Sequence, residues 1–372
     1  MKQIKRIGVL TSGGDCAGLN AVIRAVAHRA IWTYKWEVYG ILDGTEGLTS
    51  RPLRYRKLEI EDFSGPLIRT GGTMLGTINS GDPFNRKMPD GSYRDLTADF
   101  AAGVKELELD AIVVIGGDGS MSIVSRLCHG ANVPMVGIPK TIDNDAPLTE
   151  HSVGFATARD VCVDALDRLH ATAASHSRVM ILEVMGRDAG HIALHSAIAG
   201  GADVCIIPEV SYTLEGIIKK LKNVRNQGRK HALAVIAEGV KTRCGESVSV
   251  AHGESDIRYG GIGHYLSEKL KEMEPELQCR VTVLGHVQRG GIPSAFDRIT
   301  ASAFGVHAVD VLSKGKSDCM VGWRNSRVTE FPLSDVVARG AMNIEPETNA
   351  ILKTAVGLGM YVGEGIKFKE DL

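Results

Sequence analysis

The chain has 372 residues, of which 44% are hydrophobic and 23% are charged, and its formal net charge is −1. This length and hydrophobic content are typical of a globular protein with enough buried core for two domains. The balanced charge provides no excess of basic residues for binding nucleic acid or anionic membranes, and no run approaches the roughly 20 apolar residues of a membrane-spanning helix.

Cysteine usage indicates a reducing compartment. The seven cysteines are scattered, odd in number and form no CxxC pair, which is typical of a cytosolic protein. The amino terminus leads directly into a predicted strand over 4–10, so we expect no signal peptide. We therefore expect a cytoplasmic protein.

Short apolar runs alternate with helix-like runs along most of the chain. The predicted strands are 7–10, 38–42, 111–115, 133–138, 179–185, 204–207, 232–237 and 281–284. The predicted helices are 20–31, 98–107, 157–173, 192–199, 214–224 and 261–273. This alternation predicts an α/β fold of mainly parallel sheet with helices on both faces.

A glycine-rich run, Gly-Gly-Asp-Gly-Ser, follows the predicted strand at 111–115. Its glycines allow backbone N–H groups to approach an anion, and a helix that begins near Ser120 would add its positive dipole end. Asp118 is a candidate ligand for phosphate-bound Mg²⁺, which needs only one or two protein carboxylates. An ordinary strand-to-helix turn with Asp118 as the helix cap is the alternative interpretation.

A second polar run, Pro-Lys-Thr-Ile-Asp-Asn-Asp, follows the predicted strand at 133–138. If the run is extended, Asp143 and Asp145 point to one side. Two such close acids repel each other unless they share a metal, a cation or a proton. With Lys140 they supply the base, the metal region and the positive charge that phosphoryl transfer to a hydroxyl requires. A solvated polar loop is the alternative.

These runs and several others occur in the order typical of the phosphofructokinase family, which the chain resembles from Lys5 to about Ser313. The other motifs are LTSGGD at 10–15, NAVIR at 20–24, DG at 43–44, GGTMLG at 71–76, SHSR at 175–178, EVMGR at 183–187, AGG at 199–201, PE at 208–209 and LGHVQRGG at 284–291. So many ordered motifs exclude a chance match.

The resemblance implies two similar α/β domains of mainly parallel sheet with helices on both faces, and an active site in the cleft between them. We expect a donor domain over 1–153 with about 289–338 and a fructose 6-phosphate domain over 154–288. The remaining residues, 339–372, are expected to form a carboxyl-terminal extension of unknown role.

The implied reaction transfers the terminal phosphoryl group of ATP to the 1-hydroxyl of fructose 6-phosphate, a step of glycolysis that uses Mg²⁺. Asp143 matches the general base, and Asp118 matches the carboxylate that holds the metal. The full set of matching catalytic positions is Asp143, Thr141, Lys140 and Arg187. The matching donor-binding positions are Gly14, Asn79, Gly117, Asp118, Gly119 and Ser120.

The resemblance also implies a binding site for the sugar phosphate that is shared between subunits. The matching positions are Thr141, Ile142, Asp143, Arg178, Met185, Gly186, Arg187, Glu238, Arg280, His286, Val287, Gln288 and Arg289. Of these, His286 and Arg289 match ligands of the 6-phosphate in one subunit, while Arg178 and Arg280 match arginines that reach in from a neighbour. A homo-oligomer is therefore implied, and a tetramer is the usual bacterial form.

Two donor-side residues depart from the allosteric bacterial members of the family. Asn79 stands where those enzymes have arginine, and Lys140 stands where they have glycine. Lysine at this position is typical of the branch that uses pyrophosphate and of some relatives that use ATP. The pyrophosphate branch has an aspartate at the position of Gly119, which would repel an α-phosphate. We therefore expect ATP as the donor, with pyrophosphate as the alternative for the same reaction.

Two more distant functions share part of the pattern. The GGDG run also occurs in NAD kinases and diacylglycerol kinases, but the run at 284–291 and the Met185-Gly186-Arg187 loop argue for the sugar phosphate. A metabolite-binding protein without catalysis is the non-enzyme alternative. The presence of both Asp118 and Asp143 argues against it.

Overall fold

The computed structural model describes residues 4–252 and 256–369. Its internal contacts divide the chain into two compact units. The first unit runs to Thr157 and resumes over Arg289–Ala341, and the second contains Ala158–Gln288 and the chain from Met342 onward. The carboxyl-terminal segment, which the sequence predicted as an extension, thus packs with the second unit. None of the helices in the described residues has the length and hydropathy to cross a membrane.

The strands are short, as apolar runs between turn residues predict. In chain order they are β1 Arg6–Thr11, β2 Glu37–Ile41, β3 Tyr55–Leu58, β4 Arg86–Lys87, β5 Tyr93–Arg94, β6 Ala111–Gly116, β7 Met135–Thr141, β8 Val153–Gly154, β9 Val179–Val184, β10 Val204–Ile206, β11 Ala232–Ala237, β12 Ser249–His252, β13 Asp256–Tyr259, β14 Cys279–Val283, β15 Cys319–Arg324 and β16 Arg327–Pro332.

The α-helices connect most of these strands. They are α1 Leu19–His28, α2 Glu46–Thr49, α3 Thr97–Glu106, α4 Asp118–Gly130, α5 Phe155–His176, α6 His191–Ala199, α7 Leu214–Asn226, α8 Ile262–Met273, α9 Ala295–Ser313, α10 Leu333–Arg339 and α11 Ala350–Gly357. A π-helical turn follows α1 over Arg29–Tyr34, and short 3₁₀ helices cover Ile60–Phe63, Leu67–Arg69 and Gly285–Arg289.

The first unit is built on a sheet with the strand order β16-β15-β7-β6-β1-β2-β3, and β8 pairs with β7. Its five central strands are parallel, whereas β3 and β16 pair antiparallel at the two edges. All six residues of β6 are buried. A strand that is apolar on both faces requires cover on both faces, as in a parallel sheet between helices.

Helices cover this sheet on both faces. Ile112 and Val114 alternate along β6 and pack in one core with Phe100 of α3, Val124 of α4 and Val336 of α10. On the other face, α1 and α9 pack against each other and against the central strands. Because β1, β6 and β7 are parallel neighbours, their carboxyl ends lie side by side at one end of the sheet. The loops that follow these strands are therefore close together.

The second unit contains the wholly parallel sheet β10-β11-β9-β14. The carboxyl-terminal segment joins it, because Tyr361 forms a parallel bridge with Val204 at the β10 edge. A two-stranded antiparallel hairpin of β12 and β13 follows β11 in the chain. The α/β fold of mainly parallel sheets that the sequence predicted is thus confirmed.

Several element boundaries differ from the sequence prediction. The strand predicted over 133–138 is observed as Met135–Thr141, because its last residues, Lys140 and Thr141, pair with β8. The helix expected near Ser120 begins two residues earlier, at Asp118. The alternation of short runs did not predict α9 or β15. In the structure, β15 pairs with β7 as a further parallel strand of the sheet.

Candidate active site

The loop that follows β1 forms the base of the predicted donor site. The Gly13 N–H donates to the Ile78 carbonyl oxygen at 2.8 Å, and Thr77 Oγ1 donates to the Gly13 carbonyl oxygen at 2.6 Å. A Cβ atom at Gly14 would lie 2.4 Å from Arg289 Nη1. A side chain at position 14 would therefore displace the Arg289 guanidinium from this loop.

Two cations lie against this loop. Lys140 is 5% exposed, and its Nζ atom donates a hydrogen bond to the Gly14 carbonyl oxygen. Arg289 Nη1 donates to the Asp15 carbonyl oxygen at 3.0 Å. Burial lowers the pKa of Lys140 below its usual range, and the neighbouring Arg289 guanidinium lowers it further. Such a pair of closely spaced cations favours an anionic ligand.

The amino terminus of α4 lies next to the same loop. Its N-cap is Gly117, and no side chain in the described part of the chain caps the helix. A Cβ atom at Gly13 would lie 3.1 Å from Ser120 Oγ, whereas one at Gly119 would meet no atom within 4 Å. Uncapped N–H groups and a positive helix end, beside two cations, form a phosphate-binding arrangement.

The segment after β7 turns instead of continuing in extended form. Asn144 has φ 53°, and its Oδ1 atom accepts from the Ser152 N–H at 3.0 Å. The condition under which Asp143 and Asp145 were expected to point to one side, an extended segment, is therefore not met. The Asp143 N–H donates to Thr141 Oγ1 at 3.1 Å. Thr141 thus fixes the backbone that carries the predicted base.

Two predicted contact residues differ in what they can offer a ligand. The Ile142 side chain is 2% exposed and belongs to the core, so only its backbone is available. Asn79 is exposed. It directly follows Ile78, whose carbonyl oxygen accepts from Gly13, and so it is placed beside the donor loop. The structure therefore brings Asn79 to the predicted site.

The residues at the start of α4 fit a metal that is held mainly through phosphate. Among the described residues, no cluster of three or more His, Cys, Asp or Glu side chains could hold an ion. Asp118 is the first residue of α4 and is partly exposed. One carboxylate with several waters and substrate phosphates is a usual ligand set for Mg²⁺.

In the second unit, the loop over 185–190 follows β9 and carries predicted substrate-binding residues. The Met185 N–H donates to Gln288 Oε1 at 2.7 Å. The Arg187 N–H donates to Glu238 Oε1 at 3.2 Å. Two side chains from other strand ends therefore hold the loop backbone.

The side chains at this loop have different exposures. Gln288 is 1% exposed, and its Nε2 atom donates to Cys162 Sγ at 3.0 Å, so its amide is occupied by protein partners. Gly186 is buried, and a Cβ atom there would lie 2.5 Å from the Ala189 carbonyl oxygen. The Arg187 side chain is 77% exposed and is available to a ligand.

The predicted phosphate ligands of the second unit lie at opposite ends of its sheet. Arg178 immediately precedes β9, and Arg280 is the second residue of the neighbouring β14. His286 and Val287 follow the carboxyl end of β14, where Met185 follows β9, and both are exposed. At about 3.3 Å per residue, the six residues of β9 separate the two ends by about 20 Å.

The contact between Arg289 and the donor loop was not predicted, because it joins residues 274 positions apart. The sequence assigned Arg289 to the sugar phosphate together with His286. Arg289 belongs to the first unit, whereas His286 belongs to the second. No local pattern in the sequence indicates a contact over this separation.

Known proteins resemble this chain over nearly its whole length. The phosphofructokinase family model matches residues 6–312. A protein named ATP-dependent 6-phosphofructokinase 1 from Nostoc sp. is 52% identical over 364 residues, which cover 98% of this chain and 100% of that protein. The protein of the same name from Synechocystis sp. is 49% identical over 363 residues, which cover 98% of this chain and 99% of that protein.

Solved structures resemble the chain as well. Phosphofructokinase from Saccharomyces cerevisiae is 30% identical with a TM-score of 0.75, and the match covers 90% of this chain and 45% of the yeast chain. A pyrophosphate-dependent phosphofructokinase from Nitrosospira multiformis has a TM-score of 0.77 over 99% of this chain and 95% of that one. At 23% identity, the latter supports the fold alone. Because a family model covers most of the chain and full-length relatives are about half identical, this chain belongs to the phosphofructokinase family.

Proposed function

We infer that the chain is an ATP-dependent 6-phosphofructokinase, which transfers the terminal phosphoryl group of ATP to the 1-hydroxyl of fructose 6-phosphate and produces fructose 1,6-bisphosphate and ADP. The observation that carries this inference is the convergence of Lys140, Arg289 and the uncapped start of α4 on the Gly13–Gly14 backbone. Phosphoryl transfer depends on positioning and on stabilisation of phosphate charge, and this arrangement supplies both.

Gly119 supports ATP rather than pyrophosphate as the donor. A side chain at this position would extend into open space beside the phosphate-binding arrangement, so glycine leaves room for the rest of a nucleotide. Lys140 is the observation that favours pyrophosphate. In this structure, however, Lys140 and Arg289 together provide cationic charge beside Asn79, whose amide carries none. The relatives named ATP-dependent 6-phosphofructokinase support the same choice.

Enzymes of this family are kinases that need a divalent metal, and we propose Mg²⁺ held by Asp118. When bound, the metal neutralises charge on the donor phosphates. Asp118 has the carboxylate that such an ion prefers, at the helix end where the phosphates are expected. Gly117 and Ser120 complete the backbone and hydroxyl contacts of this donor side.

Asp143 is the proposed general base. It accepts the proton of the sugar 1-hydroxyl as that oxygen attacks the terminal phosphorus atom. Thr141 holds the Asp143 backbone through its hydroxyl, and the backbone of Ile142 lies between them. Arg187, whose side chain is exposed, then stabilises the charge that develops on the transferred phosphoryl group.

Glu238 and the 185–190 loop are the proposed binding elements for the sugar. Glu238 Oε1 already accepts from Arg187, and its carboxylate is the proposed acceptor for sugar hydroxyls. Met185 and Gly186 contribute loop backbone. Gln288 acts through this loop, since its buried amide holds Met185.

We further propose a homo-oligomer, with the tetramer as its usual form, in which Arg178 and Arg280 complete the phosphate site of a neighbouring copy. His286, with Val287 beside it, and Arg289 are the proposed phosphate ligands from the same chain as the base. For Arg289 this role requires the guanidinium to leave the Asp15 carbonyl oxygen that it contacts in this structure. The strand geometry supports this division, because about 20 Å of β9 separates Arg178 from Met185, beyond the reach of an arginine side chain.

The cytoplasm is the proposed location of this activity. All seven cysteines are free, and six of them are buried. Unpaired cysteines are typical of proteins in reducing compartments.

Initial rates with the two donors test the proposed function. With fructose 6-phosphate and Mg²⁺, we expect turnover with ATP and little or none with pyrophosphate, and a chelator should abolish it. Formation of fructose 1,6-bisphosphate, measured by coupled aldolase, is the readout. Turnover with pyrophosphate and none with ATP would overturn the donor assignment, and no turnover with either would overturn the activity.

A further inference from the structure

Glu209 joins two segments that are far apart in the sequence. It follows β10 in the Pro208-Glu209 motif, to which no role has been assigned above. Its Oε1 atom accepts from the Gly190 N–H at 2.8 Å and from the Ile344 N–H at 3.0 Å. Gly190 ends the 185–190 loop, and Ile344 lies at the start of the carboxyl-terminal segment.

The same three regions pack closely around this carboxylate. A Cβ atom at Gly190 would lie 2.8 Å from Glu209 Oε2 and 2.5 Å from Ile207 Cβ, so the loop end is pressed against the strand end. The ring of His191, the next residue, lies near the Met342 backbone. The Glu209 carboxylate therefore ties the carboxyl-terminal segment to the end of the loop.

The carboxyl-terminal segment has a second, independent attachment. The Tyr361 N–H donates to the Asp203 carbonyl oxygen at 3.0 Å, and the Cys205 N–H donates to the Tyr361 carbonyl oxygen at 2.9 Å. Leu352 and Ala355 of α11 are fully buried. These contacts attach the segment to the second unit independently of Glu209. The segment can therefore act as a fixed support for the Glu209 carboxylate.

We propose that Glu209 is a positioning residue that couples the carboxyl-terminal segment to the 185–190 loop and thereby sets the affinity for the sugar phosphate. The loop backbone is held at three points: Met185 by Gln288, Arg187 by Glu238, and Gly190 by Glu209. Without the third point, the loop must be ordered when the ligand binds, and this ordering reduces affinity. The proposal rests on the proposed function, since it takes this loop to bind fructose 6-phosphate.

Replacement of Glu209 tests the coupling through kinetics. In Glu209→Ala, we expect KM for fructose 6-phosphate to rise roughly ten- to hundredfold, the range for loss of a hydrogen bond to a charged group. We expect kcat and KM for ATP to stay within about twofold. Glu209→Gln should recover most of the affinity, because its carbonyl oxygen can still accept from both N–H groups.

Glu364→Ala is the matched control. Glu364 Oε1 accepts from Tyr361 and Thr213 at the other attachment of the segment. We expect this variant to keep the wild-type KM. An equal rise of KM in Glu364→Ala and Glu209→Ala, or an unchanged KM in Glu209→Ala, would overturn the proposal.

Amide hydrogen exchange of the ligand-free protein separates this proposal from the proposed function. In Glu209→Ala, peptides that cover 186–192 and 342–347 should both exchange faster than in wild type, while the peptide around Tyr361 should not change. Unchanged exchange in the loop peptide would overturn the coupling even if the enzyme is active. Absence of turnover in wild type would overturn the proposed function and leave the exchange result valid.

Discussion

Asp143 lies just beyond the end of β7, with its backbone held by Thr141 Oγ1 at 3.1 Å. Asp143→Ser should lower kcat by at least about 10²–10⁴-fold, the usual contribution of a general base, and should leave the fold intact because the residue is not part of the core. Steady-state kinetics, titration with fructose 6-phosphate and thermal unfolding measure these effects. Near-normal turnover in a folded variant would remove Asp143 from the mechanism.

Gly119 offers a sterically clean test of the donor. A Cβ atom there meets nothing within 4 Å, so Gly119→Asp should fold as the wild type does. A carboxylate about 4 Å from an α-phosphate costs about 4 kcal/mol at an effective dielectric of about 20, so activity with ATP should fall selectively.

Gly119→Asn is the matched control for this substitution, since it has nearly the same shape without the charge. We expect it to retain most of the ATP activity. If both variants lose ATP activity equally, the size of the side chain rather than its charge explains the effect. Gly119 would then give no support to ATP over pyrophosphate through charge.

Lys140 should make stability depend on pH in the alkaline range. Burial lowers its pKa in the native state below the ordinary value of 10.5, so the unfolded chain binds this proton more tightly. The free energy of unfolding therefore rises with pH between the lowered native pKa and 10.5. Lys140→Met lacks this contribution.

The comparison of these two proteins across pH measures the effect. As the pH rises toward 10.5, the free energy of unfolding of the wild type should increase relative to that of Lys140→Met. Denaturant titrations at several pH values supply the numbers. A difference that is constant over this range would show that the native pKa of Lys140 is not lowered.

At the level of elements, the 185–190 loop depends on a buried amide from another strand end. Gln288→Leu leaves the Met185 N–H without its acceptor, and such a loss costs about 1–3 kcal/mol when the donor is buried. We expect a higher KM for fructose 6-phosphate and an unchanged KM for ATP. Cys162→Ala is the control, because it removes the other partner of Gln288 and keeps the bond to Met185. Equal effects of both variants would contradict the assigned role.

At the level of the whole molecule, the division of phosphate ligands between the two ends of β9 predicts complementation. Subunits with Arg178→Ala and subunits with Asp143→Ser should each be inactive alone. After the two are dissociated and reassembled together, about a quarter of the sites should combine an intact base with an intact neighbouring arginine. Activity of the mixture, compared with each variant reassembled alone, is the measurement. Inactive hybrids would place the whole pocket within one subunit.

The sequence alone was sufficient for the family, the α/β class and most of the parallel strands. These features depend on local patterns, because a buried strand and the turn that ends it are encoded by adjacent residues. The apolar run of β6 ends in glycines, and the bounds predicted for β11 are the observed ones. Asp118 and Asp143 were predicted as site residues for the same reason. Each stands directly in a motif that follows such a strand.

The tertiary structure decided which partners these residues have. The bond of Lys140 to Gly14 spans 126 positions, that of Gln288 to Met185 spans 103, and that of Glu209 to Ile344 spans 135. No local pattern encodes contacts of this kind, because they depend on where the sheets bring distant chain segments together. For this reason the sequence treated the carboxyl-terminal segment as an extension, whereas its packing makes it part of the second unit.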